Sequence, residues 1–148
     1  MEDPAEFKRR LQILEVSIDL KQSLEEDFKR LQYYESSVKS PYLSFLKAKT
    51  LFYMNQLDEA KDEAWKVIQL TEKENPDNLR SAAFNLLANY YFQRNEITTA
   101  LEEIENGIEA FDGEERLEIY YALLSFKVIL LETIRSLGRR SRGVRGTH

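Results

Sequence analysis

FLKAKTLFYMNQLDEAKDEAWKVIQL (residues 45–70) and FNLLANYYFQRNEITTALEEIENGIEAF (residues 84–111) decide the fold, because the second restates the first 40 positions later. Adding 40 pairs Ala48 with Ala88, Leu51 with Tyr91, Phe52 with Phe92, Asn55 with Asn95, Leu57 with Ile97, Ala60 with Ala100 and Ile68 with Ile108. Fixed-period self-similarity of this kind marks a repeat architecture, in which each unit is one supersecondary element. Here each unit holds two apolar runs at helical spacing, divided by a short polar turn at Asn55-Gln56 or Arg94-Asn95-Glu96. Each therefore reads as a helical hairpin, the units being 41–80 and 81–120.

Small residues recur where packed helices would cross. Axes come within roughly 8–10 Å only where contacting side chains are small, and Ala48, Ala60, Ala88, Ala100 and Gly107 supply that. Glycine inside a helix costs about 1 kcal/mol relative to alanine, so Gly107 is expected where a neighbouring helix leaves no room for a methyl group. Phe45, Leu46, Leu51, Val67 and Ile68 in one unit, and Phe84, Leu87, Tyr91, Ile104 and Ile108 in the other, are the expected core.

Working outward, helices are expected at 4–20, 23–37, 42–55, 57–73, 78–94, 97–111 and 114–137, about seven in all and no strands. Ser23 and Glu26 have capping-box spacing, which favours a boundary there, although one continuous helix through 4–37 remains open. The segments 36–41 and 74–78 are breaks, since proline disfavours helix in its predecessor and Ser or Asn can cap; Asp112-Gly113 is another. Residues 1–40 form N-terminal helices of a degenerate repeat or cap, and 114–137 the first helix of a further repeat. That last helix is apolar on two sides, with Leu117, Tyr121, Leu124, Val128, Leu131 and Ile134 on one and Leu123, Leu130 and Leu137 on another. A helix of this kind is covered on both sides, and the expected cover is a second copy of the chain.

The two quoted stretches resemble tetratricopeptide repeats: a small residue midway along the first helix, an aromatic residue a turn later, an alanine opening the second helix and apolar positions closing it. Ala88, Tyr91, Ala100 and Gly107 match that pattern, as do Ala48, Phe52, Ala60 and Ile68. The turn residue is Asn55 or Asn95 in place of glycine, and the unit is 40 residues long where the usual repeat has about 34. The resemblance implies an all-α, right-handed solenoid whose concave groove binds a peptide or protein segment. Carried over residue by residue, it puts Lys49 and Tyr53, with Phe45 and Phe52, on the groove side of one unit, and Asn85, Asn89, Phe92 and Gln93 on that of the next. Asn85 and Asn89 could bond a peptide backbone, Lys49 a carboxylate, and the aromatic residues side chains. The elongated repeats are also similar to the ligand-sensing domains of bacterial cytosolic peptide-pheromone receptors, which implies a fragment of a signalling or transcriptional regulator.

Charge and composition narrow the function classes. The chain of 148 residues has a net charge of -5, no cysteine and a single histidine, His148. With no thiol and one terminal imidazole, there is no thiolate or zinc site and no Ser-His triad; no Gly-rich loop cradles a phosphate. Neither an enzyme nor a bound metal or cofactor is expected. The carboxylates Asp58, Glu59, Asp62 and Glu63, like Glu102, Glu103 and Glu105, read as solvated helix faces. Residues 138–148 carry four arginines and no acid, leaving 17 bases against 26 acids elsewhere. An acidic body repels nucleic acid, and this tail reads as a disordered, vector-derived end. The most apolar run, 119–131, falls short of the roughly 20 residues that span a bilayer. The expectation is a cytoplasmic, non-catalytic module that recognises a peptide, or alternatively one that assembles with itself.

Overall fold

The computed structural model describes residues 3–146, with side chains to 140, and every regular element among them is helical. In order these are α1 (Pro4–Leu20), α2 (Leu24–Glu35), α3 (Pro41–Tyr53), α4 (Leu57–Leu70), a 3-10 turn (Pro76–Asn78), α5 (Leu79–Gln93), α6 (Ile97–Ala110) and α7 (Leu117–Gly146). They form two compact units, Met1–Glu74 and Asn75–His148.

In the first unit, α3 packs against α1, α2 and α4. Asp3 caps α1 by accepting from the Ala5 N–H at 3.3 Å, with Pro4 in the first turn where a missing N–H costs nothing. The chain breaks after Leu20 because Lys21 takes left-handed backbone, φ 59°, and its N–H donates to Ile18 O. Two helices thus replace the continuous alternative. The expected capping box is not what divides them: the Ser23 side chain makes no cap bond. Asp27 ties α2 to α1 instead, its carboxylate accepting from the Ser17 hydroxyl at 3.0 and 3.1 Å while only 3% exposed. Ser40 caps α3, accepting from Leu43 N–H at 3.4 Å.

Within each quoted hairpin the turn has the same atomic design. Asn55 and Asn95 hold φ at 63° and 62°, the left-handed region that asparagine tolerates better than other side chains. Around them the Gln56 N–H donates to Leu51 O and the Glu96 N–H to Tyr91 O, both at 2.9 Å, while the Asn55 and Asn95 N–H groups reach Phe52 O and Phe92 O at 3.0 Å. This is a Schellman closure, which satisfies carbonyls that a helix end leaves open. Asparagine here takes the left-handed position that glycine most often fills at a helix end. Ala48, Ala60, Ala88 and Ala100 are all buried.

In the second unit α6 lies between α5 and α7, around a core of Ala88, Ile97, Ala100, Ile104, Leu123 and Leu130. Gly107 marks the tightest approach. A Cβ there would stand 2.9 Å from Leu123 Cδ2, 3.2 Å from Phe84 Cβ and 3.3 Å from Ser81 O. Asn78, itself left-handed with φ 56° and buried, joins the start of α5 to the α6–α7 connection. Its Nδ2 donates to Asp112 O at 2.9 Å and Glu115 O at 2.7 Å, and its Oδ1 accepts from Asp112 N–H at 3.0 Å. Asn75 adds a bond from Nδ2 to Ala110 O at 2.9 Å.

Both ends of α7 differ from expectation. α7 begins at Leu117 instead of 114, after left-handed Gly113 and Arg116. It also runs on through Gly146, past the expected stop at Leu137. No proline interrupts 138–146, and arginine is a strong helix former, so the helix propagates through the segment read as a disordered tail; residues 147 and 148 lie outside the described ones. Trp65 on α4 is 37% exposed.

A branched side chain at Gly107 must displace α5 or α7, because the Phe84 Cβ and Ser81 carbonyl cannot swing aside. Gly107→Val is expected to cost at least about 2 kcal/mol by overpacking, and Gly107→Ala less, since alanine regains about 1 kcal/mol of helix propensity. Urea denaturation checks this, and an unshifted midpoint for the valine variant would refute the close approach.

Candidate functional site

Lys49 and Tyr53 come together on one side of α3, but facing α1. The Lys49 ammonium pairs with Glu15 Oε2 at 3.1 Å and Asp19 Oδ1 at 2.6 Å. Glu15 also accepts from the Tyr42 hydroxyl at 2.5 Å, and the Tyr53 hydroxyl donates to Asp19 at 3.4 Å. Lys21 lies 4.3 Å over the Tyr53 ring. Burial pulls the Lys49 pKa down, but the bond to Asp19 and the charge of Glu15 outweigh it and hold the ammonium above its usual 10.5. Burial pushes the Tyr53 phenol above 10.0, with Lys49 opposing and Asp19 reinforcing. Both charges that neutralise Lys49 come from this chain. The groove reading expected it to meet a ligand carboxylate.

On α5 the four predicted residues have unlike surroundings. Asn89 spends an amide hydrogen on the Asn85 backbone carbonyl at 2.8 Å, a bond back along the helix. Asn85 Oδ1 is buried and accepts no hydrogen bond. Phe92 packs edge-on against Phe126 of α7, 5.5 Å between centroids at 85°, and is part of the second unit's core wall. Gln93 is exposed. The helix brings Asn85 and Asn89 to one face and turns Phe92 into α7; Lys49 and Tyr53 belong to the other unit.

Sequence reading missed two acids. Glu63 and Glu103, taken as solvated, are each only 7% exposed. Their partners differ. Lys47, itself buried, bonds Glu63 Oε1 at 3.2 Å and Glu35 Oε2 at 3.0 Å, and Lys66 reaches the same Glu63 oxygen at 3.0 Å. Burial lowers the Lys47 pKa, but its bonds to Glu35 and Glu63 more than compensate and raise it above 10.5. At the equivalent place in the second hairpin stands Leu87, and Glu103 Oε1 receives only the Asn106 amide, at 3.0 Å; Oε2 is buried with no partner. A signal was present: Lys47 and Glu63 lie equally far on either side of Asn55, as Leu87 and Glu103 do of Asn95, and residues equidistant from a hairpin turn face one another.

The two sides of α7 separate as their spacing indicates. Leu123 and Leu130 are 0% exposed, whereas Tyr121 is 62%, Val128 60%, Leu131 46%, Leu117 41%, and Leu124 and Ile134 each 37% exposed. Leu137, grouped with the inner side, is 51% exposed. The outer set is contiguous at helical spacing, whereas singly scattered apolar side chains are normal on a protein surface.

Chemical groups are sparse elsewhere. One open hollow of about 540 Å³ is lined by Gln22, Ser23, Leu24, Glu25, Glu26, Met54 and Gln56, and one of about 460 Å³ includes Val38, Lys39, Ser40, Leu43, Lys66 and Leu70. Neither holds a histidine, and Ser40 is engaged as a helix cap. Among the described residues no group of three or more His, Cys, Asp or Glu is placed to hold a metal ion, and no helix is long and apolar enough to cross a membrane. Compared with protein-family models, with curated proteins and with solved structures, the chain matches none.

Two measurements probe these charges. Burial raises the Glu103 pKa above 4.5, with Asn106 opposing and Glu102 reinforcing. An acid whose folded pKa is raised favours folding while protonated, and that contribution is lost as pH climbs from the unfolded value through the folded one. Glu103→Gln is therefore expected to raise the urea midpoint at pH 7 and to leave it unchanged near pH 3; a lower midpoint at pH 7 would contradict an uncompensated buried carboxylate. Lys49→Ala, which takes the paired cation from Glu15 and Asp19 of α1, is expected to cost about 1–3 kcal/mol, and no loss would mean the pairing is idle.

Proposed function

We propose that this chain is a non-catalytic, polypeptide-binding module built of tetratricopeptide-like helical hairpins, and that the outer face of α7 is its contact surface. One observation carries the reading: Leu117, Tyr121, Leu124, Val128 and Leu131 form an exposed apolar stripe on a helix whose other side is fixed by Leu123 and Leu130. Contiguous apolar surface of this sort marks interaction sites in soluble proteins. Its shape suits one class of ligand. Residues at alternating spacings of four and three along a helix are the anchors of helix-on-helix recognition.

The matching turns at Asn55 and Asn95 and the buried alanines 40 residues apart support the repeat assignment. The groove reading draws less support. Lys49 is neutralised by Glu15 and Asp19, and Phe92 is spent on Phe126. Recognition through α7 needs none of these groups, so the module binds with its last helix and uses the α5–α6 hairpin as the support that holds this helix.

A photoreactive side chain at Val128 should form covalent adducts with polypeptide in extracts of cells producing the full chain, whereas one at Trp65, exposed on α4, should not. Adding Leu124→Asp should abolish the adduct while shifting the unfolding midpoint little, because that side chain is not in the core. Equal labelling from both positions, or none from Val128, would defeat the proposal.

A further inference from the structure

The spacing and charge pattern of α7 go further and specify an occupant. The stripe Leu117, Tyr121, Leu124, Val128, Leu131 advances by four, three, four and three residues, which is a d-a-d-a-d series of a heptad pattern. At about 100° per residue this seam lies roughly 130° round the helix from the line through Leu123 and Leu130. A further helix can therefore lie along it without disturbing the packing on α6.

The flanks then fix which helix, and which way it runs. Beside the seam, the e positions are Glu118, Ser125 and Glu132, and the g positions are Tyr120, Lys127 and Ile134. In a parallel pair each g position meets the e position five residues on in the other helix. Two copies of α7 side by side thus bring Lys127 to Glu132 of the second copy, and the twofold axis repeats that contact. In an antiparallel pair, layers of a on d place Lys127 opposite Lys127 and Glu118 opposite Glu132, all of like charge. Glu132 is available for such a contact: its tie within the helix, to Arg135 at 3.6 Å, joins two groups each 63% exposed.

We infer that α7 pairs with α7 of a second copy of this chain, parallel and in register, through the Leu117–Leu131 seam with reciprocal Lys127–Glu132 contacts. The inference rests on the reading of the outer face of α7 as a contact surface, and it adds the partner, the direction and the register. A seam of only two heptads is short for an isolated coiled coil, whose helices must form as they pair. Here that ordering is already accomplished, because Leu123 and Leu130 hold α7 helical before contact.

The test uses the full chain, which contains no cysteine. Sedimentation should give a concentration-dependent dimer. Lys127→Glu and Glu132→Lys should each weaken it by roughly three- to tenfold, as like charges meet twice, and the double exchange should restore it. Leu117→Cys and Leu131→Cys should each form a homodimeric disulfide on its own. An antiparallel pair would behave oppositely: Glu132→Lys would strengthen association, and neither cysteine variant would form a disulfide on its own. That result, or a monomer at every concentration reached, would overturn the inference. A monomer whose Val128 probe still labels a different polypeptide would overturn the second copy alone and leave α7 as the contact surface; a monomer with no labelling would remove both.

Discussion

The close approach at Gly107 governs the second unit. With no Cβ in the way, α6 meets the Phe84 Cβ and the Ser81 carbonyl of α5 on one side and receives Leu123 of α7 on the other. Because that contact fixes the rotation of α7, it also fixes which side chains α7 sends outward. Leu123 and Leu130 have a single direction in which to be buried; the seam from Leu117 to Leu131 faces the solvent as a geometric result. The outward face of α7 is thus determined from its inner side, by a glycine on the neighbouring helix.

The two hairpins use one backbone plan with different electrostatics. Both close through a left-handed asparagine and the same pair of carbonyl contacts. Eight residues to either side of that asparagine, the first hairpin sets Lys47 against Glu63, while the second sets Leu87 against Glu103. A buried acid with a cation and one without are not equivalent: the first is held in place by its charge, the second is tolerated at a cost in desolvation. The backbone plan is set by the positions of small and turn-forming residues, so these interior exchanges leave it intact.

Much of this was legible before any coordinates. Helical spacing, Pro41 with Ser40, and the paired Asn55 and Asn95 located α3 to α6 within a few residues, because each signal is local to the chain. The two sides of α7 could be told apart for the same reason. What escaped depends on neighbours distant in sequence. Lys49 looked like a free cation until Glu15 and Asp19, some 30 residues earlier, stood beside it. Glu63 and Glu103 looked like surface acids because a carboxylate says nothing about what lies across the hairpin. The break after α1 turned on the left-handed backbone of Lys21, which no capping pattern announces, and the length of α7 turned on arginines whose charge suggested disorder while their helix propensity favoured order.

Asn78 shows how much can depend on one amide. It is donor to two carbonyl oxygens, Asp112 O and Glu115 O, and acceptor from the Asp112 N–H, all within the connection that delivers the chain into α7. Hydrolysis of its side chain to a carboxylate, the common chemical ageing of asparagine, would keep the volume and remove the hydrogens. Two carbonyls would then confront an anion, in a place where water has little access. Such a change at the start of α5 would loosen the joint that seats the first turn of α7.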